Sequence, residues 1–233
     1  IDAANAGAQV LLPKLMDLQA FVVGLQGRSD ESLKIQLESV LVWEHSNLSG
    51  AEPLAKLGYG QVCWVRGLPQ QAEKEITSAL DGLVEEELWD DALKGCAAAA
   101  SACLARGAAA LALLYASRSQ RFARRAGSYL PQEWGKVTQC WSLLALGQIH
   151  KADRLIESLA SQVLHGRHPL LYPSVLSICA ARASLAGEHR LALLLEGATD
   201  AERKKSMRMI SHVEQVALNH FLGASRTSLY PDE

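Results

Sequence analysis

The chain has 233 residues, 49% of them hydrophobic, 6% aromatic and 21% charged, with 7 prolines and 5 cysteines. That is enough apolar material for one sizeable core or one repeat array, and the Ala/Leu richness favours helices over strands. A net charge of −2 with a pI near 6.4 argues against direct nucleic-acid binding, although the charge is uneven: 8 Lys+Arg face 15 Asp+Glu up to Ser117, and 15 face 10 beyond it.

In chain order, a first helical pair covers about 4–45. Its first helix ends near Leu25, the chain turns at Gly27, and Ser29 and Asp30 are candidate caps for the second helix. Pro13 marks an early bend or the true start. Asn47 to Pro53 is a turn cluster, and Asn47-Leu48-Ser49 is a glycosylation sequon that matters only in a secreted chain. A second pair covers 52–84, broken at Gly67-Leu68-Pro69, with Pro69 at a first-turn position that tolerates proline. The third pair covers 90–126; Pro131 interrupts, and the fourth covers 132–164. His168-Pro169 and Tyr172-Pro173 open the fifth, over 171–198.

Thr199 followed by Glu202 reads as a capping box that starts a last helix over 200–222. Met207, Ile210, Val213, Ala217 and Phe221 give it an apolar stripe, and Arg203, Lys204, Lys205 and Arg208 a wet face, as a cap on a stacked array requires. Residues 225–233 are expected to fray. The chain starts at Ile1 instead of Met, which points to a trimmed N-terminus, and no uncharged run is long enough to span a membrane. The cysteines form no CxxC pair and read as buried thiols of a reducing compartment, hence a cytoplasmic protein.

The pairs share one register. Gly27, Gly67, Gly107, Gly147 and Gly187 are forty residues apart. Seven positions before them stand Ala20, Gly60, Ala100, Cys140 and Ala180; five positions after stand Ser32, Ala72, Ala112, Ala152 and Ala192. Three columns of small residues in step indicate a repeated structural unit. The glycine suits a left-handed turn between two antiparallel helices, and the small columns would face each other where those helices cross.

With this pattern the chain resembles the tetratricopeptide repeat, most fully in Gly60, Gly67, Ala72, Ile76 and Ala79 and in Cys140, Gly147, Ala152, Ile156 and Leu159. The resemblance runs from about Ala20 to Leu195 and departs in length, since forty residues exceed the usual repeat of about 34 and fall in the range of HEAT units. The chain also looks like the superhelical sensor domains of large ATP-dependent LuxR-type regulators. The fold expected is all-α: a right-handed α-solenoid of five helix-turn-helix repeats plus a C-terminal capping helix.

The resemblance also implies a concave groove lined by the first helices, with ligand-facing positions 13, 10, 6, 3 and 2 residues before the turn glycine. Carried over, they are Leu54, Leu57, Gln61, Trp64 and Val65; Lys94, Ala97, Ser101, Leu104 and Ala105; and Trp134, Val137, Trp141, Leu144 and Ala145. Trp64, Trp134 and Trp141 would be the anchors, with Gln61, Lys94 and Ser101 as polar partners, unless the tryptophans serve as core between repeats. The family's lysine- and asparagine-based carboxylate clamp is not reproduced.

A second candidate is a basic docking patch of Arg118, Arg121, Arg124 and Arg125, which share one helix face and would take an acidic segment or phosphate. They could equally be solvated or pair with Glu85, Glu86, Glu87, Asp90 and Asp91. No phosphate-binding loop, nucleophile elbow or zinc-protease motif is found. His165 with His168, and His150 with Asp153, read as surface, so no enzyme, cofactor or metal is expected. The function read from the sequence is a protein-interaction scaffold or adaptor holding another protein or peptide segment in its groove. The alternatives are an effector-binding sensor domain of a larger regulator and a HEAT-like scaffold subunit.

Overall fold

All five ladder glycines adopt left-handed backbone, with φ of 80, 75, 81, 65 and 78° in chain order. At Gly67 the amide bonds back to the Trp64 carbonyl at 3.0 Å, and the Leu68 amide to that of Cys63 at 3.0 Å. The same pair of bonds recurs at Gly107, Gly147 and Gly187. This arrangement satisfies the last carbonyls of a helix and favours glycine, which has no Cβ penalty at positive φ.

The computed structural model describes residues 3–46, 48–127, 129–166, 171–205 and 212–229. The described residues form eleven helices and no strand: α1 (Ala3–Leu25), α2 (Ser29–His45), α3 (Ala51–Val65), α4 (Pro69–Glu85), α5 (Trp89–Ala105), α6 (Ala109–Ala126), α7 (Tyr129–Ala145), α8 (Ile149–Leu164), α9 (Tyr172–Leu185), α10 (His189–Lys205) and α11 (His212–Leu229). The first ten pack in consecutive pairs. Each first helix, α1 to α9 in odd steps, also packs on the first helix of the next pair, while the second helices do not pack on one another in this way. The first helices therefore make a continuous wall.

The small columns form the crossings within each pair. Ala20, Ala100, Cys140 and Ala180 are fully buried, as are Ser32, Ala72, Ala112, Ala152 and Ala192. In the first pair the two columns meet directly, the Ser32 hydroxyl donating to the Ala20 carbonyl at 2.7 Å. At Gly60 a Cβ would lie 2.6 Å from Ile76 Cγ1, 3.2 Å from the Ile76 amide nitrogen and 3.3 Å from the Ala72 carbonyl oxygen. Burial pushes the Cys96, Cys103 and Cys140 thiols up to about 12, so these free cysteines stay protonated core residues at neutral pH.

A second left-handed register lies at the turns between pairs. Glu87 has φ of 55° and Gly127, forty residues on, has φ of 67°. Glu87 is the non-glycine with positive φ among the described residues, and the Leu88 amide bonds to Leu83 O at 2.9 Å as in the glycine turns.

Several expectations are corrected. Pro13 neither starts nor ends a helix but lies within α1, and Pro131 lies inside α7. Thr199 is no cap: it is buried in α10, its hydroxyl donating to the Leu195 carbonyl at 2.8 Å, as mid-helix threonines do. The second helix of the fifth pair therefore continues to Lys205, and the last helix begins at His212. Arg203 does not face water, being 6% exposed and donating to Ser177 Oγ at 2.9 Å. Residues 225–229 belong to α11 instead of a frayed tail. Asn47, His168, Pro169, Met207, Arg208 and Ile210 lie outside the described residues, as does the side chain of Val213.

The first helix, α1, carries an apolar stripe of Leu11, Leu15, Leu18 and Val22, each between 44% and 58% exposed. Later units bury the same positions under the preceding pair, as at Ala55, Gly95, Gly135 and Val175 for Leu15, and Val62, Ala102 and Ser142 for Val22. The stripe thus occupies positions that form the interface between repeats in later units.

Two substitutions check this account. Gly60→Ala sets a methyl against backbone that cannot move aside, and should lower stability by about 1–3 kcal/mol in urea unfolding. Glu87→Gly relieves a left-handed residue with an exposed side chain and should raise it by about 0.5–1 kcal/mol.

Candidate functional site

The wall of first helices carries the implied ligand positions, because each precedes a turn glycine by a fixed number of helical residues. Toward the N-terminal end Trp64 on α3 is half-buried and stacks on Phe21 of α1, with ring centroids 6.0 Å apart and planes 12° from parallel. Phe21 stands six positions before Gly27, so the stack joins the six-before column of the first unit to the three-before column of the second. Gln61, half-buried, holds the six-before position of that second unit. The Trp64 indole nitrogen is buried without a hydrogen-bond partner among the described residues.

In the third unit Lys94 is exposed, its ammonium 3.4 Å from Asp91, which also receives Lys14 of α1 at 2.8 Å. Lys94 is thus part of an ion network binding the first and third units. Ser101 is half-buried one turn before Leu104, which packs into the C-terminal core cluster. In the fourth unit Trp134 is half-buried and packs on the same cluster.

Trp141 differs from the groove expectation in being covered. It is 2% exposed and stacks on Phe221 of α11, with centroids 5.9 Å apart. Its indole nitrogen finds no partner among the described residues; a buried donor left so costs about 1–3 kcal/mol. Leu144, at the three-before position, is likewise 2% exposed. The corresponding residue of the fifth unit, Ser184, donates to the Phe221 carbonyl at 2.6 Å and lies 2.7 Å from Ser225 Oγ, which is 2.9 Å from His189 Nδ1. With Ser184 donating to the carbonyl, Ser225 donates to Ser184 and the His189 N–H donates to Ser225, a chain fixing α11 to α9 and α10. A further tie is the ion pair of Arg226 with Glu196.

Sequence reasoning assigned the wall but missed what lies on it. Phe21 and Ser184 were detectable, since they continue the same columns into the first and fifth units. The return of α11 over the wall had no local signal.

The four arginines lie along α6. Arg125 sits over the Trp89 ring at 4.8 Å and Arg118 over Phe122 at 5.9 Å, contacts that hold guanidinium groups against aromatic faces. Arg121 and Arg124 are exposed, and none of the four forms an ion pair among the described residues. With Asp81, Val84 and Phe122 they border a cavity of about 520 Å³. Of the acidic run, Asp91 is committed to Lys14 and Lys94, and Glu86 accepts from Ser49. His165 is exposed with its ring against the Ser161 carbonyl, and Asp153 pairs with Arg182 at 2.7 Å, which holds its carboxyl below the usual range. His150 is exposed on α8.

The Trp141 seat is testable by stability. Trp141→Phe keeps a ring against Phe221 and removes the unpartnered N–H, and should cost less than about 1.5 kcal/mol in urea unfolding. Trp141→Ala, which leaves a cavity, should cost about 3–5 kcal/mol.

No family model matches the chain, and no curated protein matches it. Solved structures do. The chain is similar to the nearly identical TPR-like repeats of a putative kinesin light chain from Podosopora anserina, at 14% identity over 84% of this chain and 97% of that one, with a TM-score of 0.60. A point variant of that protein matches at 15% identity over 84% and 96%, with a TM-score of 0.62. At such identities the likeness speaks to fold alone. No helix among the described residues is long and apolar enough to cross a membrane. The chain folds as a TPR-like all-α solenoid.

Proposed function

We propose that this protein is a non-catalytic interaction scaffold that holds a segment of another protein in the groove along its first helices. The observation that carries this reading is the wall itself. Side chains at fixed distances before successive turn glycines line up across several units, and at its N-terminal end they include the Phe21–Trp64 stack and Gln61. Aromatic anchors with an adjacent amide make a surface that captures peptide segments. The free thiols suit a reducing compartment, which supports a cytoplasmic location.

The exposed Arg121 and Arg124, beside Arg118 and Arg125 at the rim of a cavity, form a second contact point for an acidic stretch of the same partner. Because those charges are exposed, they would act chiefly on the association rate and its salt dependence.

Affinity capture with the full chain tests this reading. A partner recovered by wild type should be lost with Gln61→Arg/Trp64→Ala, and should bind more slowly and with a weaker salt dependence to Arg121→Glu/Arg125→Glu. Equal recovery by the groove variant would overturn the groove assignment. Recovery of small molecules alone, seen by native mass spectrometry, would point to an effector sensor instead.

A further inference from the structure

We propose that α11 is an exchangeable occupant of the groove: the wall of units three to five is built to seat an amphipathic helix, and a partner helix with the same apolar face takes α11's place. This rests on the groove reading above and names the kind of partner for its C-terminal half.

Position is the first argument. A helix that only ended the array would lie on α9 and α10. α11 packs on both and also on α5, two units back, while Phe221 stacks on Trp141 of α7. Only a helix lying across the wall of first helices meets all three.

Register is the second. The contacts fall on the ligand columns three and six residues before the turn glycines: Trp141 under Phe221, Ser184 under the Phe221 carbonyl, and Leu104 in the same cluster as Leu218 and Leu222. The chain's own helix therefore occupies the positions where a ligand is expected.

Pattern is the third. Leu218, Phe221, Leu222 and Ser225 are buried and follow the spacing i, i+3, i+4, i+7, whereas Asn219 and His220 are exposed. A helix laid in a groove through one face presents this signature.

The fit is also incomplete. The Trp141 N–H meets no acceptor among the described residues, and the polar ties through Ser184, Ser225, His189 and Arg226 gather at the C-terminal end of α11. A competing helix needs to displace the Phe221 ring stack, the packing of Leu218 and Leu222 and the polar clamp, leaving the paired repeats intact.

A helix tied to the same chain competes at an effective concentration on the order of mM, so a free copy of α11 is shut out of wild type and enters when the tethered copy is weakened. The probe is a fluorescein-labelled peptide of residues 212–229, titrated against the full-length chain by anisotropy. Leu218→Ala/Phe221→Ala should bind it at least about tenfold more tightly than wild type, and adding Trp141→Ala should abolish the gain. A folded double variant that binds the peptide no better than wild type would overturn the proposal.

Should the double variant not fold, hydrogen exchange on wild type decides. Amides of α11 should exchange at least about tenfold faster than those of α7 and α9, and exchange in step with them would show an integral core helix. These readouts report only on the α11 seat, while the capture experiment reads Gln61 and Trp64, so either proposal can fail alone.

Discussion

The architecture depends on one close approach, repeated five times: the crossing of a first helix with its second helix over a pair of small residues. At Gly60 the clearance is so small that even a methyl would press on the Ile76 and Ala72 backbone. Such contact is possible only if the two helices enter the crossing at a fixed angle, and the left-handed glycine seven residues after one column and five before the other sets that angle. Small columns and glycine turns are therefore one device. Given it, the next pair has a single way to stack, and the first helices line up into a wall.

The wall is not uniform. At its N-terminal end the Phe21–Trp64 stack and Gln61 are half-buried, and α1 presents a row of exposed leucines and a valine at positions that later units bury. Toward the C-terminal end α11 covers the equivalent columns. The same residue positions thus serve as surface in one half and as core in the other, and burial at Trp141 or Leu144 reflects what lies on the wall more than the repeat itself. Charge follows a similar logic. Asp91 ties α1 to α5 through Lys14 and Lys94, whereas the arginines of α6 rest on aromatic faces and leave Arg121 and Arg124 to solvent.

Features set by local backbone chemistry were legible in the residues. Left-handed glycines at forty-residue steps, small crossing columns and the helical pairs all follow from neighbours within one unit. The misreadings occurred where local patterns compete with tertiary ones. Thr199 and Glu202 match a capping box, but the hydroxyl instead bonds one turn back inside α10, because that helix packs along α9 and gains by continuing. Arg203 looked like a wet-face residue until Ser177 of the neighbouring helix supplied a buried acceptor. Pro131 suggested an interruption yet lies in the opening turn of α7, where few amide bonds are lost.

By itself the sequence determined the repeat, its register and its turn geometry, since these are encoded within forty residues by glycine conformation and side-chain size; that the first helix of each pair forms the wall was implied by the resemblance to the tetratricopeptide repeat. Only the tertiary structure decided which stretches of wall are open and which are filled. That choice depends on contacts between Trp141, Ser184 and Phe221, which lie tens of residues apart, and no periodicity within a single unit records them.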